Sequence, residues 1–279
     1  MEGVMMRGSE SVAVAVRKPS GEIVVHKTKV YPAAQRWPFL KFPILRGMLA
    51  LYQSLTLGIS ALTYSANQAI EEEGEELTSR EMAFSVVIAL AAGIGLFIVL
   101  PTVVVSFFKP QGIAGPKVLY LNLLEGAVRL GIFFLYLFGI SMLQDVRRVF
   151  EYHGAEHKVI HAYEAGKPLE IEAICTMSPL HPRCGTAFLL YVMVVSILLF
   201  SLIGWRNILL RIFFRLALLP LVAGLAYELI RLGGRARSPL LKLLLAPGLL
   251  LQRFTTREPD GSQIEVAVRA LEGVLVEEN

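Results

Sequence analysis

The sequence predicts a mainly α-helical, polytopic membrane protein with about four transmembrane helices, extra interfacial or re-entrant helices and a small cytoplasmic N-terminal β-hairpin. Three observations carry this expectation. Of 279 residues, 54% are hydrophobic and 18% charged, with a mean hydropathy of +0.57, against roughly 45–50% and about 25% in soluble domains. The charges crowd into the ends and the middle of the chain, leaving long uncharged runs between them. The basic residues fall mostly on one side of those runs. Together these features exclude a disordered chain, a collagen and a disulfide scaffold, and they argue against an ordinary soluble globule.

Residues 1–43 read as a cytoplasmic N-terminal segment. Val12, Val14 and Val16 alternate, Pro19-Ser20-Gly21 supplies a turn, and Ile23, Val24 and Val25 resume, which is the pattern of a β-hairpin. Residues 1–10 show neither the basic start nor the apolar core of a secretory signal, so insertion is expected to rest on internal spans. In the Pro-punctuated stretch 31–43, Trp37 and Phe39 near Lys41 resemble an interfacial aromatic belt.

Residues 44–80 read as an interfacial or re-entrant helix followed by an acidic linker. The apolar run 44–66 is broken by Arg46, Gln53 and several hydroxyls, which suits a helix at the membrane surface, with a true span as the alternative. The linker is Glu71-Glu72-Glu73-Gly74-Glu75-Glu76. Thr78, three residues ahead of Glu81, marks the next helix start.

Residues 81–144 hold transmembrane helices 1 and 2. The first, 83–108, carries no charge to its end, and Pro101 is a candidate kink. The second, about 119–144, contains Glu125 and Arg129, four apart on one helical face and expected to form a structural intramembrane pair. Residues 145–185 form a cytoplasmic His/Cys loop. Residues 186–232 hold helices 3 and 4 (186–204 and about 208–230) as a hairpin; the second of these carries Arg211, Arg215, Pro220 and Glu228. Residues 233–279 are expected to form a cytoplasmic interfacial helix over 239–252 and a tail closing with an amphipathic helix over 264–276.

An even number of spans places both termini and the 145–185 loop on one side. That side holds Arg7, Arg17, Arg36, Lys41, Arg147, Arg148, Lys158, Arg183 and Arg231 among others, against Lys109, Lys117 and Arg206 opposite. The positive-inside bias makes the crowded side cytoplasmic. The net charge of +4 then reflects topology and contact with the lipid bilayer and its anionic headgroups, with no specific nucleic acid as partner.

The 145–185 loop concentrates the reactive side chains. Four of the five histidines lie between 153 and 181. With 152–165 as a helix, His153, His157, His161 and Glu164 share one face, with Glu156 close by. Imidazoles four apart can reach one metal ion, and His153-x-x-Glu156-His157 has the spacing of the inverted zincin motif, in which the glutamate is the general base. The bland alternative is a set of histidines bonded to headgroups or carbonyls.

A second cluster, His181-Pro182-Arg183-Cys184-Gly185, offers an imidazole and a thiol from one stiff turn. Arg183, and with it Arg7, are candidates for holding an anionic group. His161, Glu164 and Glu228 are further ligand candidates. Cys175 and Cys184, nine apart, read equally as a disulfide, as a ligand and a bystander, or as plain core residues.

Four stretches in order complete the pattern. They are Glu2-Gly3-Val4-Met5-Met6-Arg7-Gly8, Tyr152-His153-Gly154-Ala155-Glu156-His157-Lys158, His181-Pro182-Arg183-Cys184-Gly185-Thr186, and Leu251-Gln252-x-x-Thr255-Thr256-Arg257-Glu258-Pro259. On these the chain resembles the bacterial YqhQ family of multi-pass membrane proteins, which has a related branch in plastids. Members of that family often carry a short Gly-rich lead before the first stretch, whereas this chain begins almost on it. The resemblance implies a protein of the cell (inner or plasma) membrane and the label of a predicted metal-dependent enzyme, with no established reaction.

The reading that follows is a membrane-embedded hydrolase dependent on a divalent metal, zinc by ligand type. Its ligands would be drawn from His153, His157, His181 and Cys184, with Glu156 as general base and a site facing the cytoplasm. Four filled protein positions would close the site, so catalysis requires at least one of these residues to stand back from the ion. The alternative is a non-catalytic scaffold or assembly factor with a structural metal or polar cluster, presenting a platform to a protein partner on the cytoplasmic face. Transport would require more polar residues per span than these helices carry.

Overall fold

The structure, a computed structural model, describes residues 2–30, 38–70, 79–108, 116–182, 184–204, 207–235 and 239–275. The expected acidic linker with its helix start at Thr78, the aromatic Trp37, and Lys109, Arg183 and Arg206 lie outside these residues.

The expected N-terminal hairpin is part of a larger sheet. Strands β1 (Gly3–Arg7), β2 (Ser11–Arg17) and β3 (Ile23–Lys29) pair antiparallel in that order, with Met5 opposite Val14 and Val14 opposite His26. Sequence reading missed β1 because a five-residue strand offers too few alternations to stand out. Gly21 closes the β2–β3 turn at φ 89, a region glycine adopts without strain.

Strand β2 is buried on both faces. Val12, Val14 and Val16 meet Leu57, Ala61 and Tyr64 of helix α1 (Leu45–Ile70). Ala13 and Ala15 face the opposite way, into a core with Tyr152, Ala155 and Val159 of α4 (Gln144–Glu164), Ile174 of α5 (Ile171–Cys175), and Ile264, Ala267 and Leu271 of α9 (Gly261–Leu275). The N-terminal, middle and C-terminal polar segments therefore share one hydrophobic core. The closing helix α9 is held by a capping box in which Gln263 N–H donates to Asp260 Oδ1 (2.9 Å) and Asp260 N–H donates to Gln263 Oε1 (3.0 Å).

The apolar segments form the second layer. Among the described residues, three helices are long and apolar enough to cross a membrane: Arg80–Ser106 (α2), Lys117–Ser141 within α3 (Pro116–Ser141), and Ile208–Leu232 within α7 (Ile208–Arg235). Helix α6 (Gly185–Ser201) is apolar but shorter, at 17 residues. Helix α8 (Pro239–Thr255) is continuous through Pro247 and packs mainly on α6 and α7.

Pro101 shapes α2 as its chemistry requires. A proline has no N–H to offer the carbonyl four residues earlier. A π-helical turn, Gly95–Val99, precedes it, and the Phe97 carbonyl instead accepts the Arg129 Nε–H at 2.8 Å. Arg129 also donates to Ser196 Oγ at 3.1 Å and to Glu125 Oε1 at 3.4 Å.

The expected Glu125–Arg129 pair is thus one edge of a larger network. Arg211 and Arg215, four apart on α7, both donate to Glu125 as well. Spacing within one helix could reveal the first pair; only the tertiary fold, in which α3 and α7 both pack on α6, brings the other two within reach.

Glu228, a candidate ligand by sequence, is committed elsewhere. Its carboxylate accepts a two-pronged contact from Arg46 of α1, with Nε to Oε1 at 2.6 Å. Backbones meet closely beside it: a Cβ on Gly47 would lie 2.9 Å from the Gly224 carbonyl oxygen, so glycine is required where α1 crosses α7.

Candidate metal centre

Helix α4 carries the histidine face that its sequence implies. His153 and His157 stand one turn apart, with ring centroids separated by 4.4 Å. Cys184, the residue that caps the N-terminus of α6, closes the group, and His153 Nε2 lies 3.1 Å from its Sγ. One donor atom from each of His153, His157 and Cys184 lies within 4.8 Å of the other two. Tetrahedral zinc with nitrogen and sulfur ligands at about 2.0–2.3 Å needs donor separations near 3.3–3.7 Å. The trio therefore fits a metal of that size after small side-chain adjustments.

Backbone carbonyls orient both imidazoles. His153 Nδ1 bonds the Thr255 oxygen at 2.8 Å, and His157 Nδ1 bonds the Pro179 oxygen at 2.6 Å. A carbonyl can only accept, so each Nδ1 carries a proton, and in the neutral imidazole Nε2 is then the nitrogen available to a metal. This is the arrangement in which protein-bound metals hold histidine. The Cys184 Sγ is within 3.0 Å of Thr186 Oγ1 and accepts the Thr186 N–H at 3.3 Å, which fixes its position at the start of α6.

A cavity of about 240 Å³ opens at the trio, lined also by Glu156, Ile160, Glu164, His181 and Gly185. Burial raises the Glu156 carboxyl above its ordinary value, while the nearby His153 draws it the other way. Burial also lowers the His181 imidazole, reinforced by His161 and opposed by Glu164.

The remaining candidates divide. His181 lines the cavity but stands outside the close trio, its Nε2 3.5 Å from Glu164 Oε2. His161 bonds the Leu180 carbonyl through Nε2 at 2.8 Å and stays off the cavity wall. Arg7 donates to Gln53 of α1 at 3.1 Å, away from this cavity. Cys175 and Cys184 are both free, so the disulfide alternative falls, and Cys175 is exposed at the end of α5.

Sequence reasoning missed the residues that build the frame. Gln252 uses its whole amide on His181: Oε1 accepts the His181 N–H and Nε2 donates to the His181 oxygen, both at 2.8 Å. Gly154 lets the chain after α8 lie directly on α4. A Cβ there would sit 2.0 Å from the Arg257 oxygen, and Arg257 N–H donates to the Phe150 oxygen at 2.9 Å. Buried Lys158 donates to the Cys175 oxygen at 2.8 Å and pairs with Glu258 at 2.6 Å, tying α4 to α5 and to the tail. Gln252, Thr255 and Glu258 all belong to the fourth motif quoted above, which was visible in sequence without an assignable role.

The family model described as "Protein of unknown function (DUF1385)" matches residues 42–277. The uncharacterized protein YqhQ of Bacillus subtilis is 31% identical over 293 aligned residues, covering 99% of this chain and 90% of that protein. No solved structure matches the chain.

Proposed function

The chain belongs to the DUF1385 family and, by its identity to that protein, to the YqhQ family, and on that premise we propose that it is a membrane-embedded, metal-dependent hydrolase. The observation that carries the reading is the convergence of His153, His157 and Cys184, with both imidazole tautomers set by carbonyls. Two nitrogens and a thiolate suit zinc.

With His181 standing back, the three residues would supply three ligands to a metal and leave a fourth for water or substrate, and the 240 Å³ cavity adjoins them, which is the pattern of a catalytic site. Zinc held there would act as a Lewis acid on a substrate oxygen and lower the pKa of water. Glu156, on the cavity wall, is the carboxylate that would serve as general base toward a water held there and return the proton to the leaving group. Arg183, next to Cys184 in sequence, is the candidate for holding an anionic portion of the substrate.

The membrane reading rests on parity. The sheet and α9 share a core, so the segments near both termini lie on one side of the apolar layer. Crossings must then be even in number, and α6 is the fourth. Its 17 residues span about 25 Å at 1.5 Å per residue, near the lower limit for a bilayer core, and the apolar Leu202 and Ile203 follow its end. The basic residues on the sheet side make that side cytoplasmic, in the cell membrane.

Elemental analysis of protein purified without chelators tests the reading: about one zinc per chain is expected, and its absence overturns it. The same trio joins α4, the turn before α6 and, through Thr255, the end of α8, which favours a second reading as a structural metal in a scaffold for a cytoplasmic protein partner. Glu156→Gln separates the two. Loss of cellular function with zinc and abundance retained supports catalysis, and an unchanged phenotype supports the scaffold.

A further inference from the structure

The apolar helices carry an unbalanced charge. Over 80–106, 117–141, 185–201 and 208–232 the carboxylates are Glu81, Glu125 and Glu228. Glu81 sits in the first turn of α2, and Glu228 is engaged by Arg46. Glu125 alone among these acids faces Arg129, Arg211 and Arg215, and all four side chains are almost wholly buried. Three guanidiniums against one carboxylate leave an excess of two positive charges in the apolar layer, where uncompensated charge is costly. Phe200 offers its ring face to Arg129 and Arg215, at 5.0 and 5.4 Å, which eases that cost without neutralising the charge.

A cavity of about 360 Å³ reaches this network at Arg211. Its other walls are nearly all apolar, among them Ile203 from the end of α6 and Leu210, Phe214 and Leu218 from α7. Leu210 and Phe214 are also exposed on the outer face of α7, so the cavity is continuous with the surface that lipid would cover.

We infer that this cavity is a binding site for an anionic phospholipid, whose phosphate pairs with the Arg211 guanidinium while its first acyl methylenes lie along Leu210, Phe214 and Leu218. Charge complementarity selects an anion, and the apolar walls select a lipid: a free hydrated phosphate gains nothing from Ile203, Phe214 or Leu218. The cavity lies where Ile203 and Gly204 follow α6, beside the start of α7, which on the topology proposed above is the outer leaflet. The lipid would neutralise part of the charge that Glu125 cannot.

The test is lipid binding by the full-length protein in detergent, read by native mass spectrometry and thermal unfolding with dioleoylphosphatidylglycerol, dioleoylphosphatidylcholine or inorganic phosphate added. The expected result is a preference of about tenfold or more for phosphatidylglycerol, the size of one charge-assisted contact, with a matching rise in Tm. Arg211→Gln should reduce phosphatidylglycerol binding to the phosphatidylcholine level. Should that variant fail to fold, Leu218→Trp fills the cavity, keeps every charge, and should give the same loss. Equal binding of the two lipids, a preference surviving in the folded variants, or displacement of phosphatidylglycerol by inorganic phosphate would overturn the inference.

Discussion

His153 donates its Nδ1 proton to the carbonyl oxygen of Thr255 at 2.8 Å, across 102 residues of sequence. The last carbonyls of a helix have no partner within it. Helix α8 uses one of them to set the tautomer of a candidate ligand on α4, and Gly154 provides the clearance that allows the two segments to touch.

Gly154→Ala is therefore expected to act at two levels. The new methyl would strike the Arg257 backbone and force α4 and the tail apart, costing about 1–3 kcal/mol or more. Displacing Thr255 from His153 should weaken metal binding by about 10–100-fold, the usual consequence of losing a ligand's orienting partner. Thermal unfolding and metal titration measure the two effects separately, and a variant with unaltered zinc affinity would contradict the second.

Removal of the sulfur tests the ligand set itself. Cys184→Ala should lower zinc content at least about tenfold, within the range seen when zinc sites lose a supporting contact. Cys175→Ala should leave it unchanged, because that thiol is exposed and off the cavity. Elemental analysis of the two proteins in parallel reads the contrast.

Gln252→Ala leaves the His181 N–H and carbonyl without the amide that now serves both. A buried backbone group without a partner costs about 1–3 kcal/mol, so a loss of roughly 2–6 kcal/mol for the two is expected in denaturant unfolding. Gln252→Glu keeps the acceptor for the N–H but turns an oxygen toward the His181 carbonyl, and it should not restore stability.

Asp260 ties stability to acid pH. Burial works against its charge, but hydrogen bonds from Ser262 and Gln263 outweigh that and hold the carboxyl below its ordinary 3.8. The stabilisation from its charge is present above that ordinary value and is lost as pH falls through the depressed folded one. Asp260→Asn should flatten this part of the acid dependence while keeping the cap, whereas Asp260→Ala should cost about 1 kcal/mol at neutral pH. Thermal melts at neutral and acid pH distinguish the two.

Glu156→Gln, if the cavity is catalytic, should reduce turnover by about 10²–10⁴-fold with zinc retained, the usual contribution of a general base. A substrate-independent readout is complementation of a null strain with protein level and metal content measured alongside.

The amino-acid sequence by itself determined the apolar helices, their lengths, the hairpin of β2 and β3, and the spacing that puts His153, Glu156 and His157 on adjacent turns of α4. These are local properties: a period of 3.6 or 2 and an uncharged run are written in consecutive residues. Only the tertiary structure decided which histidines share a site, because that depends on where Cys184, Thr255 and Pro179 arrive from distant parts of the chain. It also detached Glu228 from the candidate ligands by placing Arg46 beside it, and it enlarged the Glu125–Arg129 pair with two arginines from α7. Gln252 and Gly154 had no readable role in sequence for the same reason: a side-chain amide bonding a backbone, or a missing Cβ, acquires meaning only from what another segment brings against it.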